Sequence, residues 1–145
     1  MNNNIPTVAL NMQYIKDLSL EIPHAPQIFS KLNNPPKISV DLNIDAKKIE
    51  DTQFEVTLNV RINADINNEK LFILELAYGS INTITLPEDK IETILFVEIP
   101  QLLFPYARQI ISSNLADAGL PPLLLSPVDF AKMYLTKKEN EQKAN

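Results

Sequence analysis

The sequence predicts an α+β fold: a four-stranded antiparallel sheet with two to three C-terminal helices packed on one face. Three observations lead to this prediction. Apolar and polar residues alternate through the first two thirds of the chain, which is typical of half-buried strands. The spacing then becomes helical, with cap residues and prolines near the expected helix ends. Short links between successive strands favour antiparallel pairing, and helices that follow the strands indicate the α+β class.

The first strand is predicted to begin at Val8 and to bend near Lys16, where the alternation skips. Its inward side chains are Val8, Leu10, Met12, Tyr14, Leu18, Leu20 and Ile22. Residues 23–36 contain Pro23, Pro26, Pro35 and Pro36. Proline lacks a backbone donor and biases the preceding residue toward extended backbone. We therefore predict an ordered loop here that is neither strand nor helix.

Three further strands are predicted over residues 38–44, 54–66 and 72–78, and the second of these has the clearest alternation. Asn67 and Asn68 separate the last two strands. Because asparagine tolerates left-handed backbone, these residues predict a short turn. The apolar side chains of the three strands are expected to line one inner face.

The helical part is expected to begin with a capping box formed by Thr85 and Glu88. Pro100 should end or kink this first helix, because a proline inside a helix costs about 3 kcal/mol. A longer helix with Pro105 in its first turn should then run to Ala118, and Gly119 should form its C-cap.

An apolar extended connection is predicted over residues 120–125. Ser126 is expected to cap a final helix that continues past Tyr134. The whole chain, residues 1–145, is interpreted as a single domain, with flexible ends at residues 1–7 and 137–145.

The composition excludes several kinds of chemistry. The 145 residues include no cysteine, one histidine (His24) and two glycines. Disulfides, cysteine zinc sites, thiol nucleophiles, histidine-cluster metal sites and glycine-rich phosphate loops are therefore ruled out. Asp17 and Glu21 are about 13 Å apart along a strand at 3.3 Å per residue, too far for an acid–base pair. We expect no enzymatic activity, no catalytic residue, no metal and no cofactor.

The formal net charge is −5, and no local basic patch compensates for it, so we expect no binding to nucleic acid. The first residues lack the basic and apolar regions of a secretory signal. The most apolar stretch, residues 94–107, is interrupted by Glu98, Pro100 and Pro105 and should not insert into a membrane. The expected location is the cytoplasm.

Charged residues collect on the predicted outer face of the sheet. The acids that share this parity are Asp17, Glu21, Asp41, Asp45, Glu55, Asp65 and Glu75, and they outnumber Lys37 and Arg61. A solvated face of an acidic protein is one interpretation. A docking surface for a basic partner is another, because Ile73 and Ala77 lie beside Glu75 with the same parity. A subunit contact over Ile73 is a third.

The long predicted helix is apolar most of the way round, with Leu103, Tyr106 and Ile110 on one side and Phe104, Ile111 and Leu115 on another. Such a helix is buried by more than one neighbour. The second neighbour is another subunit, a ligand peptide, or residues 120–125 folded back over the helix.

Several segments together resemble the SecB family of bacterial protein-export chaperones. Residues 14–29 resemble its N-terminal strand and loop, and Phe-Glu-Val-Thr-Leu at residues 54–58 fits its third strand. The run Leu-Leu-Phe-Pro-Tyr-Ala-Arg at residues 102–108 resembles a pattern in its second helix. Gly-Leu-Pro-Pro-Leu at residues 119–123 and Pro-Val-Asp-Phe at residues 127–130 match its C-terminal pattern.

The resemblance implies an ATP-independent chaperone that keeps unfolded preproteins competent for translocation and delivers them to the SecA motor. It also implies a homotetramer, a dimer of dimers. By position, the SecA-binding residues would be Asp17, Glu21, Ile73 and Glu75. The client-binding residues would be Phe29, Leu32, Leu42, Phe104 and Tyr106.

The chain departs from the family pattern at two places. The family usually has a tryptophan near Leu32, and two glycines and an aromatic residue where this chain has Gly79, Ser80, Ile81 and Asn82. The leading hypothesis is a general export chaperone. The alternatives are a SecB-like chaperone dedicated to one partner such as an antitoxin, and a structural oligomer whose apolar surfaces all serve assembly.

Overall fold

The computed structural model describes residues 5–144, which form one antiparallel sheet and a C-terminal helical layer. The strands are β1 (Val8–Glu21), β2 (Lys37–Glu50), β3 (Gln53–Ile66) and β4 (Glu69–Ile84). Their order across the sheet is β1-β4-β3-β2, so β1 and β2 are the edges. The helical layer comprises α1 (Glu88–Thr93), a π-helical segment (Ile94–Glu98), α2 (Ile99–Asp117) and α3 (Phe130–Lys143). The predicted α+β class and four-stranded antiparallel sheet are confirmed.

The core lies between the inner face of the sheet and α2, which crosses β3 and β4. Strict alternation in β3 and β4 places every second side chain in this layer. The fully buried members include Val56, Leu58, Ile62, Leu74, Leu103, Ile111 and Leu115. The β3–β4 turn is made by Asn67 (φ 51°) and Asn68 (φ 66°), both left-handed as the sequence predicts.

Strand β1 contains two bulges where the sequence predicts one bend. Its register against β4 shifts between Leu10 and Met12 and again between Ile15 and Asp17. The first shift reverses the parity of the strand, and the second restores it. Met12 and Tyr14 therefore lie on the outer face, and the prediction that they face inward is wrong. The bend predicted at Lys16 coincides with the second bulge.

The proline loop contains a short 3₁₀ helix, Gln27–Lys31, which the sequence prediction excluded. The hydrogen bond from the Phe29 N–H to the Pro26 carbonyl closes its first turn, and the Ser30 hydroxyl donates to the carbonyl of Gln27. Ile28 is fully buried and attaches the loop to the core. The fixed φ of proline is compatible with the start of a tight turn. Pro26 can therefore precede this short 3₁₀ helix, although prolines exclude a long helix here.

Helices α1 and α2 and the π segment between them form one continuous rod, so the helical layer of residues 5–144 consists of this rod and α3. The helix does not end at Pro100, so that part of the prediction is wrong. The wider π-helical hydrogen bond from the Ile99 N–H to the Ile94 carbonyl immediately precedes this proline, where the regular ladder would lose a donor. Pro105 lies inside α2 rather than in its first turn, on the exposed side.

The predicted capping box at Thr85 is not formed. The residue before α1 is Pro87, and its side chain makes no capping hydrogen bond. The Thr85 hydroxyl instead accepts a hydrogen bond from the Thr7 N–H at 2.8 Å. Thr85 therefore joins β1 to the end of β4, a long-range contact that a local sequence pattern does not reveal.

The C-terminal part follows the sequence prediction except at one cap. Gly119 has φ +77° and ends α2 as expected, and the Leu120 N–H donates to the Leu115 carbonyl at 3.0 Å. The N-cap of α3 is Asp129, whose carboxylate accepts from the Lys132 N–H, and not Ser126. Helix α3 continues to Lys143, into the segment predicted to be a flexible end; residues 1–4 of the other end lie outside the described residues.

The end of β4 carries two buried polar side chains, Ser80 and Asn82, where the family pattern has glycine and an aromatic residue. The Asn82 amide donates to the Phe54 carbonyl at 3.2 Å and to the Ser80 hydroxyl at 3.0 Å. These bonds satisfy the buried amide donor of Asn82, while its Oδ1 is buried without a hydrogen-bond partner among residues 5–144.

Candidate functional site

The four residues predicted to bind a partner lie together on the outer face of the sheet, across β1 and β4. Glu21 is directly opposite Ile73, Ser19 is opposite Glu75, and Asp17 is opposite Ala77. Asp17 and Glu21 are exposed, while Ile73 and Glu75 are half-buried. We call the surface formed by Asp17, Glu21, Ile73 and Glu75 the acidic face. The sheet thus brings together residues more than 50 positions apart in the chain.

The centre of the sheet places a cation beside the acidic face. Arg61 on β3 pairs with Glu75 on one side and with Asp41 of β2 on the other. Its Nε lies 3.5 Å from Glu75 Oε1. An open hollow of about 290 Å³ adjoins this pair, with Asp17 and Ala77 on its far side. The surface therefore combines separated carboxylates with a small depression, which suits basic side chains better than a single metal ion.

A second polar cluster, which the sequence analysis did not single out, lies further along the outer face. Tyr14 donates a hydrogen bond to Glu55, and Lys16 Nζ lies 2.9 Å from the other oxygen of that carboxylate. The hydrogen bonds from Tyr14 and Lys16 hold the pKa of Glu55 below its ordinary value of 4.5. Burial and the contact with Glu55 raise the pKa of Tyr14 to about 12. Lys16 is a polar residue at a position that the alternation predicts to face inward. This mismatch was the sequence signal that the register of β1 shifts here.

The predicted client-binding residues do not form one surface. Phe104 is buried and packs edge-on against Phe130, with ring centroids 6.0 Å apart. Tyr106 is 53% exposed and stacks on Tyr78 at 6.5 Å. The two side chains are separated by about 200° around α2, at about 100° per residue. They therefore lie on different flanks of the helix.

The other three client-binding candidates lie nearer the two edges of the core. Phe29 and Leu32, in the proline loop, are half-buried and pack against the core. Leu42 on β2 lines a hollow of about 140 Å³ that Phe96 and Tyr134 also line. The rings of these two aromatic residues stack at 6.0 Å. The role of Phe29, Leu32 and Leu42 in binding clients stays a prediction.

One flank of α2 is covered by the chain itself. Leu120 and Leu125 are buried, and the Ser112 hydroxyl donates to the Leu123 carbonyl at 3.2 Å. The predicted folding-back of residues 120–125 therefore accounts for the burial of this flank. The other flank, with Leu102 54% exposed and Tyr106, is not covered in this way.

Large apolar side chains are exposed at both edges of the sheet as well as on α2. They are Val8, Met12 and Ile15 on β1, and Ile38, Val40 and Ile49 on β2. Singly exposed apolar residues are ordinary, but several along an unpaired edge strand form a surface that can bind another chain. These surfaces are available for assembly or for an extended peptide.

His24 is exposed in the proline loop, where its backbone carbonyl accepts from the Ile28 N–H. Among residues 5–144, no group of three His, Cys, Asp or Glu side chains is arranged to hold a metal ion. The same part of the chain contains no helix of the length and apolar character needed to cross a membrane.

Comparison with known proteins gives consistent matches. The family model described as preprotein translocase subunit SecB matches residues 1–141. The protein-export protein SecB of Paramagnetospirillum magneticum is 43% identical over 134 residues, covering 92% of this chain and 86% of the relative. Its counterpart in Bartonella quintana is 40% identical over 146 residues, covering 99% of this chain and 92% of the relative.

A solved structure shares the fold. It is the SecB-like chaperone of Mycobacterium tuberculosis in complex with a peptide from the HigA1 antitoxin. The TM-score is 0.71 with 12% sequence identity, and the match covers 83% of this chain and 90% of that one. At this identity the likeness concerns the fold alone.

Proposed function

Because the chain belongs to the SecB family, we propose that it is an ATP-independent molecular chaperone of protein export. It binds unfolded precursor proteins in the cytoplasm, keeps them competent for translocation and delivers them to the SecA motor. The observation that carries this proposal is the family match over residues 1–141, with relatives about 40% identical over almost the whole chain. The SecB family is one of chaperones, and we expect no enzymatic activity from this member.

Client binding is proposed to use the apolar surfaces that the single chain leaves exposed. An unfolded precursor presents apolar side chains and unpaired backbone groups, which exposed apolar walls and an unpaired strand edge can bind. Each contact is weak because the client loses conformational entropy, but several sites acting together give useful affinity. Phe29, Leu32, Leu42, Phe104 and Tyr106 remain the proposed client-binding residues. The burial of Phe104 by Phe130 makes it the one that requires movement of α3.

Delivery is proposed to use the acidic face. Its carboxylates, Asp17, Glu21 and Glu75, flank the half-buried Ile73 on one side of the sheet. Mixed acidic and apolar surfaces of this kind fit a partner with basic and apolar side chains. The proposed partner is SecA. The face is opposite the helical layer, so a client bound beside the helices leaves it free.

The proposed assembly is a homotetramer built as a dimer of dimers, with the single domain of residues 1–145 as its subunit. The exposed apolar residue Leu102 on the uncovered flank of α2 and those on edge strand β1 support burial by another subunit. A tetramer multiplies the weak client sites, which is the physical reason to expect one.

The first experiment dilutes a urea-denatured export precursor into buffer with and without the purified protein, in the absence of nucleotide. Suppression of aggregation that saturates near one tetramer per client supports the proposal. Light scattering with size-exclusion chromatography measures the assembly in the same sample. A folded tetramer that fails to suppress aggregation refutes the general chaperone. A chaperone dedicated to one partner would suppress aggregation of that partner alone.

A further inference from the structure

Arg61 occupies the centre of the outer sheet surface, in contact with one residue of the acidic face. It lies on β3, between Glu75 of β4 and Asp41 of β2 in the cross-strand register. Its Nε is 3.5 Å from Glu75 Oε1, and the two side chains are 56% and 47% exposed. The pair is therefore open to a partner and is not locked in the core.

Between residues 5 and 144, the lysines in outer-face ion pairs have partners other than Asp17 and Glu75. Lys16 pairs with Glu55, and Lys70 pairs with Asp65, each at 2.9 Å. Arg61 differs because its anionic partner, Glu75, is one of the residues proposed to receive SecA. A cation that approaches Glu75 must therefore compete with a guanidinium already present.

The hollow beside Arg61 has room for such an incoming side chain. It measures about 290 Å³ and is lined by Asp17, Asp41, Arg61, Glu75 and Ala77. The small side chain of Ala77 leaves the space open, and acids of β1, β2 and β4 line it. A lysine or arginine stem lying over Ala77 would bring its charge close to Glu75, on the side that Arg61 also borders.

We propose that Arg61 is an intramolecular competitor for Glu75 that sets the affinity of the acidic face for basic partners. The proposal rests on the proposed docking of SecA at this face. A partner that reaches only Glu75 gains little, because it exchanges one exposed ion pair for another. A partner that also contacts Asp17, Glu21 and Ile73 is bound, so Arg61 favours an extended, correctly spaced partner over isolated basic side chains.

The test is titration of SecA into the wild-type protein and into Arg61→Gln by calorimetry at about 0.1 M salt. Removing the competitor is expected to tighten binding by up to about fivefold, the upper end of the contribution of an exposed ion pair. The gain should shrink at high salt, where surface charges are screened. Lys70→Gln is the matched control, because it makes the same charge change at the Asp65 pair and should have the smaller effect.

A double-mutant cycle separates competition from a general charge effect or a structural one. In a Glu75→Gln background, Arg61→Gln should give no more gain than Lys70→Gln does, because the carboxylate for which Arg61 competes is gone. Three results overturn the inference: unchanged or weaker binding by Arg61→Gln, a gain equal to that of Lys70→Gln, or a gain above that of Lys70→Gln that persists without Glu75. Wild-type protein that does not bind SecA refutes the proposed docking, and with it this inference. Wild-type binding without the gain refutes the role of Arg61 alone.

Discussion

Charge reversal at Asp17 and Glu75 together is the most direct test of the acidic face. Asp17→Lys affects an exposed position on β1. Glu75→Lys removes the ion pair with Arg61 and sets two cations side by side. The lost pair is long at 3.5 Å and about half exposed, so its loss and the new repulsion should together cost less than about 2 kcal/mol of folding free energy. The double variant is expected to fold and to assemble as the wild type does.

The effect on docking should be larger than the effect on folding. One exposed charge pair contributes about 0.5–1 kcal/mol to binding, and reversal replaces that attraction by a repulsion of similar size. Two reversals therefore lower the affinity for a basic partner by about 2–4 kcal/mol. This corresponds to a Kd about 30- to 1000-fold weaker, at about 1.4 kcal/mol per tenfold change.

The assay is calorimetric titration of SecA at about 0.1 M salt, together with suppression of precursor aggregation. The double variant should lose SecA binding and keep its chaperone activity, because clients are proposed to bind beside the helices. Asp51→Lys with Glu139→Lys is the matched control. Both residues are exposed, Asp51 in the β2–β3 turn and Glu139 on α3. The control double variant and the Asp17 and Glu75 double variant each change the net charge from −5 to −1 (−5 + 4).

Two results would refute this reasoning. Binding within about threefold of the wild type would mean that SecA docks on another surface, since the magnitude above starts near 30-fold. Equal loss by the Asp51 and Glu139 variant would mean that net charge, and not the geometry of the acidic face, controls the interaction.

Three further predictions concern stability. Gly79→Ala should lower the free energy of unfolding by about 1–3 kcal/mol, because the added Cβ would lie 2.8 Å from the Tyr14 ring. Urea denaturation measures this loss. An equal loss in a Tyr14→Ala background would contradict this cause. Ionised Glu55, whose pKa is lowered from 4.5 chiefly by the Tyr14 hydrogen bond, stabilises the fold at neutral pH. This contribution should disappear as the pH falls through its lowered pKa, so Glu55→Gln should flatten the acid limb of stability against pH, and parallel curves would refute it. Asp129→Ala should lower the free energy of unfolding by about 1 kcal/mol, because Asp129 caps α3, and Ser126→Ala should lower it by almost nothing. Thermal unfolding compares the two variants. The reverse order would identify Ser126 as the cap.

The proline residues mark a limit of local sequence rules. Pro100 predicts a helix end or kink and Pro105 predicts the first turn of a new helix, yet both lie in one continuous helical segment. Proline removes one backbone donor and costs about 3 kcal/mol in a helix interior. The packing of the rod against the sheet, through residues such as Leu103 and Ile111, can exceed that cost, since full burial of one such side chain contributes about 1.5–3 kcal/mol. Helix continuity was therefore decided by tertiary burial.

The candidate site was likewise predictable from the sequence only in part. The alternation of β4 and of the second half of β1 was enough to predict that Asp17, Glu21, Ile73 and Glu75 share a face. The pairing of Arg61 with Glu75 was not predictable, because it depends on which strands are neighbours. The contact of Tyr14 with Glu55 was missed because the bulge near Asn11 reverses the parity of Met12 and Tyr14.

The sequence by itself determined the strands, the Asn67–Asn68 turn, the Gly119 cap and the acidic character of the outer face. These features follow from periodicity, backbone preference and charge, which are properties of neighbouring residues. Only the tertiary structure decided the β1-β4-β3-β2 order, the two bulges, the rod through Pro100 and the covered flank of α2. Each of these depends on contacts between residues distant in the chain, whose free energy exceeds the local preference that the sequence pattern records.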